Sequence, residues 1–168
     1  MPTRECSSER LSISRQAVFL DTSVLFAAFW DEDEKHKMAK YFLEVFTDEI
    51  VVPIPVIIEC WGVIVGSKKR IDRGLSVLEW VQNPGNATLM PAPPELLGRC
   101  RTYCSKLHID LVDAFLVSLA DDLSARHQIR PAIRIVTFDN RDFFKCIGLR
   151  RDSLQIRLMN PETSEVYP

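Results

Sequence analysis

The sequence lacks the long apolar runs and leader features that mark membrane and secreted proteins. Its longest apolar region, residues 51–66, is interrupted by Pro53, Pro55 and Glu59, so it is too short and too broken to cross a bilayer. No opening segment combines a basic start, an apolar stretch and a small-residue cleavage site. We therefore expect a cytoplasmic protein that is not associated with a membrane.

Residues that bind zinc or perform nucleophilic catalysis are also scarce. Only two of the five cysteines, Cys100 and Cys104, are closely spaced, and no second pair of Cys or His completes a zinc site. The three histidines lie in polar contexts and form no visible Ser/His/Asp arrangement. We expect free thiols in a reducing compartment.

The chain also lacks an excess of charge. Its formal net charge of -2 gives no whole-protein attraction to nucleic acid, so such binding must come from local patches. The length of 168 residues suffices for one domain with a proper core. We predict a mobile N-terminal arm over residues 1–15, a single domain over 16–160 and a C-terminal tail over 161–168.

What the sequence does contain is a regular alternation of apolar strands and helical stretches, which predicts an α/β protein with a mostly parallel sheet and helices on both faces. Gly62 and Gly66 form a small-xxx-small pair that indicates close packing, for example at a subunit contact. The predicted strands are residues 17–21, 50–54, 87–90, 134–138 and 155–158. The predicted helices are residues 23–29, 31–46, 55–66, 70–81, 95–107, 111–127 and 141–147.

Four carboxylates lie in apolar surroundings, where acids are otherwise costly. Asp21 and Asp139 follow predicted strands, whereas Glu59 and Asp113 lie near the starts of helices. All four therefore belong at the carboxyl edge of the sheet, where open α/β sheets bind ligands. Converging carboxylates repel one another unless a cation offsets them, and oxygen ligands favour Mg²⁺ or Mn²⁺ over zinc. Such a site suits phosphoryl chemistry.

Some acids near these positions have an alternative interpretation as helix caps. Asp110 lies three residues before Asp113, so one of the two caps the helix while the other binds metal, and the Asp-Ala-apolar context favours Asp113 as the ligand. Asp142, three residues after Asp139, either supports the site or caps a turn. For the acidic run at residues 31–34 we favour capping and a solvated face over metal binding.

Taken in order, these motifs resemble the PIN-domain ribonucleases over residues 17–149. The resemblance implies a three-layer α/β/α sandwich and Mg²⁺- or Mn²⁺-dependent hydrolysis of RNA phosphodiesters. It also implies that Asp21, Glu59, Asp113 and Asp139 are the catalytic and metal-binding acids, and that Ser23 and Thr137 support them. The motifs are Asp21-Thr22-Ser23-Val24-Leu25, Ile58-Glu59, Asp113-Ala114 and Thr137-Phe138-Asp139-Asn140-Arg141-Asp142-Phe143.

The leading hypothesis is therefore a metal-dependent endoribonuclease that acts as the toxin of a toxin–antitoxin pair and forms a homodimer. Arg141 and Lys145 are the candidate RNA-binding residues because they follow Asp139 directly; the other basic clusters are interpreted as solvated faces. One alternative is a PIN-like module that binds RNA or protein without cleavage. Another is a phosphatase with Asp21 as its nucleophile, although Ser23 stands where that chemistry needs a second acid.

Overall fold

A computed structural model describes residues 17–126, 133–139, 141, 143, 145, 156–159 and 166–167. The predicted N-terminal arm and Asp142 lie outside the described residues. Within the described part of the chain, no helix is long and apolar enough to span a membrane. Cys60, Cys100 and Cys104 are free thiols, as predicted for them.

The structure is built on a six-stranded sheet in the order β3-β2-β1-β4-β5-β6. Neighbouring strands are parallel except for β5 and β6, which are antiparallel. The mostly parallel sheet is thus confirmed, whereas β6 falls in the segment predicted as tail. The strands are β1 (Val18–Leu20), β2 (Ile50–Pro53), β3 (Thr88–Met90), β4 (Ile133–Val136), β5 (Ile156–Met159) and β6 (Val166–Tyr167).

Six α-helices are described, and each corresponds to a predicted helix. They are α1 (Thr22–Phe29), α2 (His36–Val45), α3 (Ile54–Trp61), α4 (Ile71–Gln82), α5 (Leu97–Leu107) and α6 (Leu111–Arg126). Two segments differ from the regular α-helix that the sequence predicts. A π-helical segment, Gly62–Ser67, continues α3, and a 3₁₀ turn, Pro94–Leu96, precedes α5. The acidic run forms turns before α2 and places no acid in its first turn, so the helix begins later than predicted. Three of the four acids are exposed, as a solvated face predicts, and Asp33 Oδ1 accepts the N–H of Lys35 at 2.8 Å.

The central strands are buried on both faces. In β1, Val18 and Leu20 point to one side and Phe19 to the other, and all three are buried because helices cover both sides of the sheet. The apolar surface of α6 contributes Leu116 and Val117 to the same core. Each such side chain stabilises the fold by about 1.5–3 kcal/mol on burial. The three-layer α/β/α architecture is therefore confirmed.

The strand order places a switch point between β1 and β4. The chain moves from β1 through β2 to β3 on one side of the sheet, then returns to add β4 on the other side of β1. Leu20 pairs with Val136, and the Asp21 N–H donates to the Val136 carbonyl oxygen at 3.1 Å. Ligands bind at such points in open α/β sheets, so this is where a site is expected.

Candidate active site at the carboxyl edge of the sheet

Asp21 occupies the switch point as the N-cap of α1. Its Oδ1 accepts a 2.7 Å hydrogen bond from the Thr22 N–H. Its Oδ2 accepts hydrogen bonds from Ser23 Oγ at 2.6 Å and Thr137 Oγ1 at 2.7 Å. Burial raises the pKa of Asp21, and these hydrogen bonds oppose that rise. The carboxylate is thus buried and held in one orientation by both of its oxygens.

Ser23 and Thr137 connect α1 to the segment that follows β4. The two hydroxyl oxygens lie 3.3 Å apart, and Ser23 Oγ also accepts the Phe138 N–H at 3.0 Å. Thr137 Oγ1 accepts the Asp139 N–H at 2.9 Å. The backbone that carries Asp139 is therefore linked to Asp21 through one hydroxyl group. The supporting role of both hydroxyls in a reaction stays a prediction.

Glu59 lies in the second turn of α3 and is half-buried. Its Oε2 accepts a 2.5 Å hydrogen bond from Thr22 Oγ1. Burial is the largest cause of the raised pKa of Glu59; the charges of Asp110 and Asp21 raise it further, whereas the Thr22 hydrogen bond lowers it. Glu59 therefore interacts electrostatically with two other acids at this edge.

The structure assigns the helix cap to Asp110. Its Oδ1 accepts the N–H groups of Val112 at 2.8 Å and Asp113 at 2.9 Å, which satisfies donors in the first turn of α6. Asp113 lies half-buried in that same turn. The assignment of Asp113 as the acid that binds a metal remains a prediction.

Asp139 directs its carboxylate toward Arg141. Arg141 donates from Nε to Oδ1 at 3.2 Å and from Nη2 to Oδ2 at 3.1 Å. Hydrogen bonding to Arg141 is the main cause of a lowered Asp139 pKa, and the Lys35 charge adds to it. Arg141 and Lys145 are both exposed, and Lys145 Nζ donates to the His108 carbonyl oxygen at 3.4 Å.

Among known protein families, the family model of the PIN domain matches residues 18–148 of this chain. The chain belongs to the PIN-domain family. The resemblance found in the sequence is therefore confirmed, and no curated protein sequence matches this PIN-domain chain significantly.

Solved structures share the fold at low sequence identity. Mycobacterium tuberculosis VapC20, described as a toxin that cleaves the sarcin–ricin loop, is 14% identical with a TM-score of 0.61, and the match covers 81% of this chain and 98% of that one. A chain of a Klebsiella pneumoniae toxin–antitoxin complex is 17% identical with a TM-score of 0.55, and the match covers 86% of this chain and 97% of that one. A chain of Rickettsia felis VapBC2, bound to a promoter DNA fragment, is 14% identical with a TM-score of 0.55. That match covers 86% of this chain and 99% of that one.

The carboxylate oxygens at the carboxyl edge of the sheet are suitable ligands for a hard cation such as Mg²⁺, but the described conformation does not bring three such side chains together. Within residues 17–126, 133–139, 141, 143 and 145, no three His, Cys, Asp or Glu side chains are close enough to share a metal ion. The donors are carboxylate oxygens, which Mg²⁺ and Mn²⁺ prefer, and a cation would offset the repulsion that raises the Glu59 pKa. In the described conformation the Asp139 carboxylate is instead paired with Arg141.

The basic cluster after the π-helical segment has local structural roles. Lys68 Nζ lies 5.5 Å from the ring centroid of Trp30, and Lys69 Nζ donates to the Gly66 carbonyl oxygen. Arg70 donates two hydrogen bonds to Asp72, at 3.0 and 2.8 Å. These residues follow α3 and its π-helical extension, about 20 Å along the axis from the carboxyl edge. Such contacts agree with the interpretation of this cluster as a surface feature.

Three neighbours of the predicted acids were not foreseen from the sequence. Thr22 contacts Glu59, the charge of Asp110 raises the Glu59 pKa, and the charge of Lys35 lowers the Asp139 pKa. Thr22 and Asp110 adjoin the predicted motifs, so proximity in sequence was a usable signal for them. Lys35 precedes α2, and nothing in the sequence near it points to Asp139.

Proposed function

We propose that this PIN-domain protein is an endoribonuclease that hydrolyses RNA phosphodiester bonds with Mg²⁺ or Mn²⁺. The observation that carries the proposal is the buried Asp21 carboxylate at the switch point. The Ser23 and Thr137 hydroxyls hold it, and Thr22 links it to Glu59. A buried acid beside a second acid is costly for a fold, and a cation-dependent reaction explains its presence.

In this proposal Asp21, Glu59, Asp113 and Asp139 hold the cation. When bound, the cation activates a water and offsets charge on the phosphate oxygens. Ser23 and Thr137 orient Asp21, because both donate to its Oδ2. We also keep Asp142, which lies outside the described residues, as a supporting acid.

The RNA would contact the exposed cations next to Asp139. Arg141 and Lys145 lie beyond β4 on one short stretch, and phosphate contacts from such side chains give affinity without specifying sequence. The Arg141 guanidinium already binds a carboxylate in a two-point arrangement, which is the geometry that also suits phosphate oxygens.

We further propose a biological role as the cytoplasmic toxin of a toxin–antitoxin pair, with an antitoxin protein as partner. The support is the likeness to structures described as toxins or toxin–antitoxin complexes. We propose a homodimer as well. Gly62 and Gly66 are exposed, and a Cβ added at either would meet nothing within 4 Å, so this small-residue face leaves room for a second copy.

The test is cleavage of a structured RNA with Mg²⁺ or Mn²⁺, with and without a chelator. We expect wild type to cleave only with metal, and Asp21→Asn to lose at least about a hundredfold in rate, as the removal of one charge-stabilising group typically costs. The matched control is Asp72→Asn, which changes an exposed carboxylate in the first turn of α4 and should cleave normally. Equal activity of wild type and Asp21→Asn would overturn the proposal.

One observation favours the second candidate function, a PIN-like module that binds RNA or protein without cleavage. The Asp139 carboxylate is engaged by Arg141, which would keep it from a cation. Calorimetry distinguishes the two functions. Absence of Mg²⁺ and Mn²⁺ binding with intact RNA affinity would establish the binding module, whereas binding of either ion that is lost in Asp21→Asn would exclude it.

A further inference from the structure

Thr22 makes a contact that connects the two best-positioned acids of the site. Its Oγ1 donates to Glu59 Oε2 at 2.5 Å and so joins α1 to α3. We propose that Thr22 is a positioning residue whose hydroxyl fixes the Glu59 carboxylate beside Asp21, so that the two carboxylates can bind one divalent cation. The inference rests on the proposed function.

Thr22 acts on both acids at once. Its backbone N–H binds Asp21 Oδ1 at 2.7 Å, while its hydroxyl binds Glu59. Ser23 and Thr137 occupy the other oxygen of Asp21, Oδ2. Thr22 therefore links the two carboxylates, because it alone among these three residues contacts both of them in the described structure.

The position of Thr22 leaves its hydroxyl available for this contact. Inside a helix, a threonine hydroxyl often bonds to the carbonyl oxygen three or four residues earlier. Thr22 is the first residue of α1, and the residues three and four positions before it, Phe19 and Val18, belong to β1. No preceding helical turn competes for the hydroxyl, which instead reaches across to α3.

Glu59 needs such a partner. Its side chain has several rotatable bonds, whose freedom opposes a single orientation, and it is only half-buried in the second turn of α3. The Thr22 hydroxyl supplies a donor for Oε2 at 2.5 Å. The contact therefore holds the Glu59 carboxylate in one orientation at the edge that Asp21 also occupies.

The experiment measures Mn²⁺ affinity by titration calorimetry at one fixed pH, on the full chain without RNA. We expect Thr22→Val to weaken binding by about 10- to 100-fold, the usual effect of removing a residue that orients a metal ligand. Thr22→Ser restores the hydroxyl and should recover most of the affinity. The matched control is Thr102→Val on the exposed face of α5, where the hydroxyl bonds to the Gly98 carbonyl oxygen and the affinity should not change.

A double-mutant cycle with Glu59→Ala, which removes the acceptor of the Thr22 hydroxyl, shows through which residue Thr22 acts. We expect Thr22→Val to weaken Mn²⁺ binding in the wild-type background and to have no further effect in Glu59→Ala. Wild-type affinity in Thr22→Val, or an equal loss in both backgrounds, would overturn the inference. Absence of Mn²⁺ binding to wild type would instead overturn the proposed function. If Thr22→Val does not fold, as judged by circular dichroism, Thr22→Ala takes its place in the same cycle.

Discussion

Thr137 and Asp21 lie 116 residues apart in the sequence and are joined by a 2.7 Å hydrogen bond from Thr137 Oγ1 to Asp21 Oδ2. The bond exists because β4 adds to the sheet directly beside β1, with Val136 paired to Leu20. The two residues that follow these strands are therefore neighbours at the carboxyl edge. The candidate site therefore forms because β4 lies beside β1 in the sheet, and not because its residues are close in the sequence.

Removal of the Ser23 hydroxyl should destabilise the fold. Ser23→Ala deprives the buried Asp21 carboxylate of a donor and leaves the Phe138 N–H without its acceptor. We expect a loss of about 1–3 kcal/mol in the free energy of unfolding, the usual cost of an unmade buried hydrogen bond, measured by urea denaturation. Ser105→Ala is the control, because Ser105 is exposed and its hydroxyl bonds to the Thr102 carbonyl oxygen in its own helix. Equal stability of the two variants would contradict the account.

A methyl group at Gly74 should also destabilise the protein. A Cβ there would lie 2.5 Å from Val65 Cγ2 and 3.0 Å from Trp61 Cζ3, so either the Val65 side chain or α4 itself would have to shift. We expect Gly74→Ala to cost about 1–3 kcal/mol, as overpacking does. Thermal unfolding provides the measurement. At Gly98, an added Cβ meets nothing within 4 Å, so Gly98→Ala should be neutral or stabilising by up to about 1 kcal/mol.

The Asp72 carboxyl should titrate at unusually low pH. Hydrogen bonding to Arg70 lowers its pKa from 3.8 to about 2. Because the folded value is the lower one, the pair stabilises the fold above pH 3.8, and this contribution disappears as the pH falls through the folded value. NMR titration of the side-chain carboxyl should show a midpoint that moves toward 3.8 in Arg70→Gln but not in Arg101→Gln. A wild-type midpoint at 3.8 would contradict the pairing.

The sequence predicted the elements and the edge on which the acids lie. Asp21 follows β1 at once and Glu59 lies in the helix that begins after β2, because apolar runs and the Pro55 signal define both boundaries. The unpredicted features depend on tertiary packing. The π-helical segment lies against α4 at Gly74, and the two-residue β6 is defined by its pairing with β5.

Candidate acids can be named from the sequence, whereas their side-chain partners cannot. A carboxylate in an apolar run is visible in the sequence because its burial is costly. The contact between Thr22 and Glu59 depends on how α1 packs against α3, and the pairing of Asp139 with Arg141 depends on side-chain conformation. Neither contact can be read from the local periodicity of the sequence. The candidate metal-binding acids could therefore be named, but the positions of their side chains could not be predicted.

Binding of RNA should depend on Arg141 and Lys145. In an Asp21→Asn background, which prevents cleavage in this account, each Gln substitution at these positions should weaken RNA binding. Each should also reduce the slope of log affinity against log salt by about 0.7, the value for one lost contact to a single strand. Fluorescence anisotropy at several salt concentrations provides the measurement. Lys69→Gln, far from this edge, is the control, and an equal effect there would show that the contacts are not localised.

Anomalous diffraction from a crystal soaked in Mn²⁺ tests the central claim most directly. We expect an anomalous peak within coordination distance of the Asp21 carboxylate, about 2.0–2.1 Å for an ion of the size of Mg²⁺, with Glu59 on the same ion and Asp139 turned away from Arg141. A Mn²⁺-soaked crystal with no peak at Asp21, and with Asp139 still bound to Arg141, would contradict it.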